Sequence, residues 1–280
     1  MKMKVALMGA GGKMGLRIVE KLSETEGFEV IYVQRKGPGF DRLVSMGLQP
    51  VSNTRLIPEV DVAILAVPDA AIAKVSAEII PLLPPHAMVF GLDPAAAHAK
   101  VMPIRKDLSY FIAHPCHPPL FNDEVTEEAR NDHFGGIAKQ HIVCALYQGP
   151  DTDYDRGEKL AKIIYSPVMN SYRLTVEQMA VLEPALVETI GVTVLVAVRE
   201  ALEKAIKMGA PEEAAREFLF GHLQIAISQV FGFVDYPMSD GAQLAAKKAF
   251  SKIFRPDWMD NVMNPERIAE SVAEITHAKK

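Results

Sequence analysis

The 280 residues predict an α/β fold: a doubly wound parallel sheet followed by an all-helical C-terminal domain. Three observations carry this. Short apolar runs alternate with helical patterns over the first half, the first run meets its helix through a cluster of glycines, and from Thr175 onward the helical period stands alone. A chain of this length usually exceeds what one hydrophobic core can organise. The spacing therefore places an α/β domain over residues 1–173 and a helical substrate and dimerisation domain over 174–280.

Lys4–Met8 is a short apolar run ending in glycines, and Lys13–Ser23 carries Met14, Ile18 and Leu22 at helical spacing. Phe28–Val33 reads as a second strand and Phe40–Met46 as a short helix. Val60–Val67 is a buried strand bounded by Pro68, Ile72–Ile80 a helix, and Met88–Leu92 a strand following Pro84 and Pro85. Tyr110–Ala113 and His141–Leu146 are further strands, with Asp155–Ile164 a helix. The alternation implies parallel strands joined by crossover helices on both faces. Val176–Met208, Glu212–Val230, Ala242–Phe254 and Pro265–His277 are helical, Pro211 restarting a helix after Gly209. Within the first of these, Val181–Val198 is apolar on all sides. Such a helix is normally buried, so it is expected at the centre of the second domain and in a homodimer interface.

Composition narrows the function. Apolar residues make up 49% of the chain and charged residues 23%, the balance of a globular protein. Net charge is −5 with Lys and Arg scattered, which excludes nucleic acid as the main partner. The two cysteines, Cys116 and Cys144, are too few for a disulfide framework and suit a reducing cytoplasm. Met1–Leu7 runs straight into a strand with no cleavage-site pattern. No stretch approaches the roughly 20 uninterrupted apolar residues of a membrane span, because Glu183, Glu188 and Arg199 break the most apolar one.

The most informative segment is Gly9-Ala10-Gly11-Gly12-Lys13-Met14-Gly15. Glycines let a strand-to-helix turn be tight and let backbone N–H groups approach a pyrophosphate, while the helix N-terminus adds partial positive charge. The spacing is G-x-x-G-x-x-G with Gly11 added, and its place in a βαβ unit makes it a Rossmann-type dinucleotide loop. The bound cofactor is then NAD or NADP. At the end of the second strand the chain offers Gln34-Arg35-Lys36 and no acid to accept a ribose 2′-hydroxyl. That leans towards NADP, although Arg35 stacking on adenine would serve NAD as well. Val67-Pro68 ends the next strand where a nicotinamide ribose would lie; a plain turn is the competing reading.

His114-Pro115-Cys116-His117-Pro118-Pro119 follows a strand of the α/β domain, and such strand ends line the ligand crevice. The prolines restrict the backbone and hold His114 and His117 in fixed directions. Neutral imidazoles suit a transition metal such as zinc, a proton relay or hydrogen bonds to a carboxylate. His-x-x-His supplies two ligands at most, so a metal needs a carboxylate from elsewhere, and Glu183 or Glu188 on the apolar helix are candidates. The competing reading is a rigid loop whose histidines cap backbone groups. Cys116 reads as packing, Asp93 as a helix cap, and His222, on an otherwise apolar helix, as a satisfied core residue rather than a catalytic one. Asn131, His133 and Gly135-Gly136 lie further along the same region and either close over the site or form a surface loop.

With these segments in hand, the chain resembles the 6-phosphogluconate and 3-hydroxyacid dehydrogenase superfamily, and within it the branch containing D-apionate oxidoisomerases. Ile112–Glu124 followed by Gly135–Gln140 carries the narrower resemblance. It implies an NAD-binding N-terminal domain, a helical second domain, a homodimer, and oxidation of a small sugar acid to a 3-oxo product with migration of a carbon group. It further implies His114 and His117 as base or metal ligands and Glu183 or Glu188 as acid, base or ligand. One departure matters. Leu182-Glu183-Pro184-Ala185-Leu186-Val187-Glu188 stands where the wider superfamily carries a catalytic Lys, which disfavours lysine-assisted dehydrogenation and favours a metal or histidine mechanism. A plain 3-hydroxyacid dehydrogenase and a non-catalytic dinucleotide sensor remain the alternatives, because fold alone never proves activity.

Overall fold

The computed structural model describes residues 2–54, 57 and 59–277. The chain folds as two compact units, one formed by Met1–Val181 with Ala269–Lys280 and the other by Leu182–Ile268. The division falls after Val181 rather than at residue 174, and the C-terminal helix returns to the first unit instead of ending the second.

In the first unit, seven strands form one sheet: β1 (Met3–Met8), β2 (Phe28–Val33), β3 (Val62–Leu65), β4 (Met88–Gly91), β5 (Ser109–Pro115), β6 (Gln140–Gln148) and β7 (Val168–Arg173). Their order is β2-β1-β3-β4-β5-β6-β7. The first five strands are parallel, as the alternating pattern requires, with Val5 of β1 facing Val30 of β2 on one side and Val62 of β3 on the other. β5 and β6 are antiparallel, contrary to the expectation of a parallel sheet throughout. The connection between them holds the five-residue helix α5 (Glu127–Asn131). β7 escaped the sequence pattern. It is an edge strand whose residues are half-buried or exposed, so no apolar alternation marks it, and its pairing with β6 defines it.

Side chains alternate across the sheet and build two cores. Val5, Leu7, Val62 and Ile64 pack with Ile18 and Leu22 of α1 (Lys13–Ser23) and with Leu160 and Ile164 of α6 (Thr152–Ile164). Ala6, Met8, Ala63 and Leu65 face the opposite side with Ile72 and Ile79 of α3 (Asp69–Ile79). The shorter helices α2 (Pro38–Ser45), α4 (Ala95–His98) and α7 (Val176–Ala180) complete the crossovers and the exit from the sheet. The C-terminal helix, α12 (Pro265–His277), buries Val272 completely.

The second unit is helical: a π-helical segment continuing from Val181 to Val192, then α8 (Thr193–Lys207), α9 (Glu212–Val230), α10 (Asp240–Ile253) and α11 (Trp258–Val262). Pro184 sits inside the π-helical segment, where its missing N–H and its ring cannot continue an α-helical ladder. The Thr189 hydroxyl donates to the Pro184 carbonyl five residues earlier (2.6 Å). The expected burial of the apolar helix is not what the single chain shows. α8 has no buried residue, and Leu186, Val187, Val192 and Leu195 are all exposed. The helical run Val176–Lys207 also meets the length and apolarity of a membrane-crossing helix, more than the composition reading allowed, with Glu183, Glu188 and Arg199 inside it.

Candidate active site

At the end of β1 the chain turns through Gly9 at φ +79°, a conformation that L side chains rarely adopt. A Cβ there would stand 2.2 Å from the Ala66 carbonyl oxygen, one at Gly11 would stand 2.3 Å from that of Gly39, and one at Gly15 would stand 2.2 Å from that of Gly9. These three glycines are demanded by protein packing. Gly12 differs: a Cβ would meet the Gly9 oxygen at 3.3 Å and otherwise face the cavity that Gly12 lines. That cavity, about 570 Å³, runs from Gly9, Gly11 and Gly12 past Gln34 and Arg35 to Val67 and Pro68. Its size suits a ligand of dinucleotide class.

Gly12 also caps α1, with no side chain bonded to the cap and no acidic residue in the first turn. The opening N–H groups of a helix, here those of Lys13, Met14 and Gly15, have no intrahelical acceptor, and the dipole end faces the loop without a countercharge from its own first turn. The amides of residues 9 to 12 are committed within the protein. Gly9 and Ala10 donate to the Val33 carbonyl, Gly12 donates to that of Gly9, and Gly11 donates to Oε1 of Gln34 at 3.0 Å. Gln34 therefore ties the end of β2 to the loop, a role distinct from reading a ribose. Arg35 is exposed at the cavity edge. Pro68 is the N-cap of α3, its carbonyl accepting from Ala71 N–H (2.7 Å), so Val67-Pro68 is both a turn and a wall of the cavity.

His114 lies near the end of β5, half-buried, with Nδ1 2.8 Å from the Leu92 carbonyl. His117 follows at φ +60°, with Nδ1 2.9 Å from the Phe134 carbonyl. A carbonyl can only accept, so each Nδ1 carries the proton, and in the neutral ring Nε2 carries the lone pair. The two rings meet edge to face with centroids 6.4 Å apart. Asp93 accepts from Ala95 N–H at 2.7 Å, which is the capping bond expected of it, and a carboxylate oxygen lies within 4.8 Å of a His114 ring nitrogen. Capping and a role beside His114 are therefore compatible. The spacing of oxygen and nitrogen donors at Asp93 and His114 fits a divalent cation, whereas His117 belongs to no metal-type cluster among the described residues.

The remaining candidates separate clearly. Cys116 is exposed, and desolvation raises its thiol above the ordinary range, the opposite of an activated nucleophile. Glu183 and Glu188 lie on the π-helical segment of the second unit, Glu183 half-buried and Glu188 exposed. His222 is exposed rather than in a core; it stacks on Phe218, and its Nδ1 bonds to the Phe218 carbonyl one turn earlier (2.8 Å). Asn131 and His133 are exposed beside the loop, while the residues that shape it are Asp132 and Phe134. The sequence signal for Asp132 is an Asx-turn acid three residues before a Gly-Gly pair. Arg17, also overlooked, is 8% exposed, and its guanidinium carbon stands 5.7 Å from the centre of the Phe134 ring and 5.6 Å from that of Tyr165.

Comparison with known proteins places this geometry in a family. The model of the phosphogluconate dehydrogenase (decarboxylating) C-terminal family matches residues 122–276. A D-apionate oxidoisomerase of Cupriavidus necator is 48% identical over 99% of this chain and 100% of its own, and one of Rhizobium rhizogenes is 46% identical over 97% and 99%. Among solved structures, a semialdehyde dehydrogenase NAD-binding protein of Cupriavidus necator, in complex with calcium and NAD, superposes with a TM-score of 0.94. It is 48% identical, over 98% of this chain and 100% of that one. The chain belongs to the phosphogluconate dehydrogenase family that this C-terminal domain defines, alongside those oxidoisomerases.

Proposed function

We propose that this protein is an NAD-dependent oxidoreductase of a small sugar acid, which oxidises D-apionate to 3-oxo-isoapionate with migration of a carbon group. The observation that carries the proposal is the pair of histidines whose Nδ1 atoms are both committed to backbone carbonyls, in a unit whose glycine loop leaves Gly12 and a helix N-terminus facing a dinucleotide-sized cavity. The relatives' names supply the substrate and reaction. NAD is preferred to NADP because the 48% identical structure holds NAD.

Oxidation of an alcohol needs a group to take the hydroxyl proton and an acceptor for hydride. Bound NAD supplies the hydride acceptor. The lone pair on Nε2 of His117 accepts the proton, and the turn that fixes Nδ1 keeps that nitrogen in the accepting tautomer. Asp93 and His114 would hold a divalent cation, and such a cation would supply polarisation of a substrate oxygen. Imidazole favours zinc or a similar transition ion over calcium, which prefers oxygen donors alone. Glu188, being exposed, is left outside this chemistry. The protein works in the cytoplasm as a homodimer, the second copy covering the apolar faces that α8 leaves exposed.

The deciding experiment incubates purified protein with D-apionate and NAD, follows absorbance of NADH, and reads the product skeleton by carbon NMR. A rearranged 3-oxo acid supports the proposal. An unrearranged oxo acid identifies a plain dehydrogenase, and absence of turnover with intact NAD binding identifies a sensor. His117→Ala should lower kcat by about 10²–10⁴ with the NAD Kd unchanged.

A further inference from the structure

The stretch after α5 is exposed in part, yet it is fastened at both edges. One carboxylate oxygen of Asp132 accepts from the N–H groups of Phe134 (3.2 Å) and Gly135 (2.8 Å), and the other from those of Ile137 (2.8 Å) and Ala138 (3.0 Å). Four amides on one carboxylate require a tight turn, which Gly135 and Gly136 provide at φ +92° and +127°. From α1, Lys21 Nζ donates to the Gly136 carbonyl (3.0 Å), Arg17 Nη1 donates to that of Phe134 (3.4 Å), and Lys13 Nζ sits 3.7 Å from the centre of the Phe134 ring. Burial alone would push the Asp132 carboxyl up; its backbone donors outweigh that and hold it below the ordinary range. The turn is thus a charged clasp, and its product is the placement of one carbonyl, that of Phe134, 2.9 Å from Nδ1 of His117.

We propose that Asp132 is a positioning residue for the reaction: by gathering four backbone amides it keeps the Phe134 carbonyl on Nδ1 of His117 and so reserves Nε2 for substrate. The inference rests on the reading of His117 as proton acceptor. It assigns a chemical task to a loop acid that touches neither cofactor cavity nor histidine. Without the clasp, the His117 ring exchanges between its two neutral tautomers, and the fraction able to accept a proton at Nε2 falls.

The test is the nitrogen NMR spectrum of the histidine rings in the full-length protein, with the His117 signal assigned by its loss in His117→Ala. At about pH 8.5, where an ordinary imidazole is neutral, the native ring should show a protonated Nδ1 and a lone-pair Nε2. Asp132→Asn keeps the size but turns one acceptor into a donor. It should move the His117 signals towards a tautomer mixture and lower kcat about tenfold, part of the full contribution of a general base. KM and the NAD Kd should change by less than about threefold. If that variant does not fold, Lys21→Met loosens the same turn from the α1 side and should move the same signals in the same direction. An unchanged His117 spectrum in a folded variant overturns the positioning role whatever happens to activity. A shifted spectrum together with full turnover by His117→Ala upholds the positioning and overturns the proton-acceptor reading instead.

Discussion

Replacing Gly12 with Ala separates what the glycine loop does for the fold from what it does for a ligand. The Gly12 backbone is extended at φ −79° and ψ 174°, which alanine adopts freely. Its new methyl would meet only the Gly9 oxygen at 3.3 Å and the Ala66 oxygen at 3.9 Å. Losing a glycine from the unfolded chain stabilises by roughly 0.4–1 kcal/mol. Alanine is a poorer N-cap than glycine by a similar amount. The two effects offset to within about 1 kcal/mol, so Tm should shift by less than about 4 °C. The same methyl enters the cavity where a diphosphate must approach the backbone, and overpacking of that kind costs about 1–3 kcal/mol, or roughly 5- to 150-fold in the NAD Kd. Gly9→Ala provides the contrast. There, φ +79° costs about 1–2 kcal/mol and relief of the 2.2 Å contact about 1–3 more, so Tm should fall by about 5–15 °C. Calorimetric titration with NAD and thermal unfolding read the two quantities separately. A folded Gly12→Ala that binds NAD like the native protein would refute the placement of the diphosphate at this turn.

Further outcomes are expected. Arg35→Ala should weaken NADP about fivefold while leaving NAD nearly unchanged, because the exposed guanidinium can pair only with the extra phosphate; equal losses for both cofactors in fluorescence titration would show that it stacks on adenine. Cys144 is fully buried and its thiol is pushed up to about 12 by desolvation, so at pH 8 only about one molecule in ten thousand carries the thiolate, and an alkylating reagent should label Cys116 first. Asp132 has a depressed carboxyl, so its share of stability is present above the ordinary Asp value of about 3.9 and is lost as pH falls through its lower folded value. Thermal unfolding from pH 6 to 3 should therefore fall less steeply in Asp132→Asn than in the native protein. Leu195, 59% exposed on α8, should lie in the dimer contact; light scattering should show twice the 30.7 kDa chain for the native protein and a monomer for Leu195→Glu.

Local patterns were enough for the parallel half of the sheet, since Val5, Leu7, Val62 and Ile64 lie in runs buried on both faces and read as strands without their partners. They were not enough for β7, whose half-exposed residues become a strand only by pairing with β6, nor for the antiparallel direction of β6, which is set by its pairing with β5. The candidate site divides in the same way. His114 and His117 were legible because prolines and a strand end single them out; their neutral tautomers were not, because the carbonyls that set them come from Leu92 and Phe134, 22 and 17 residues away.

By itself, the sequence determined the order of elements, the glycine turn and the identity of the histidine segment, all of which follow from short-range sterics and periodicity. Tertiary structure alone decided that Gln34 takes the Gly11 amide, that Asp132 gathers four others, that Asp93 stands beside His114, and that α8 keeps its apolar surface uncovered in the single chain. The physical reason is range. Backbone conformation answers to neighbours a few residues away, whereas hydrogen-bond partners and burial are chosen by whatever the folded chain brings to within a few ångströms.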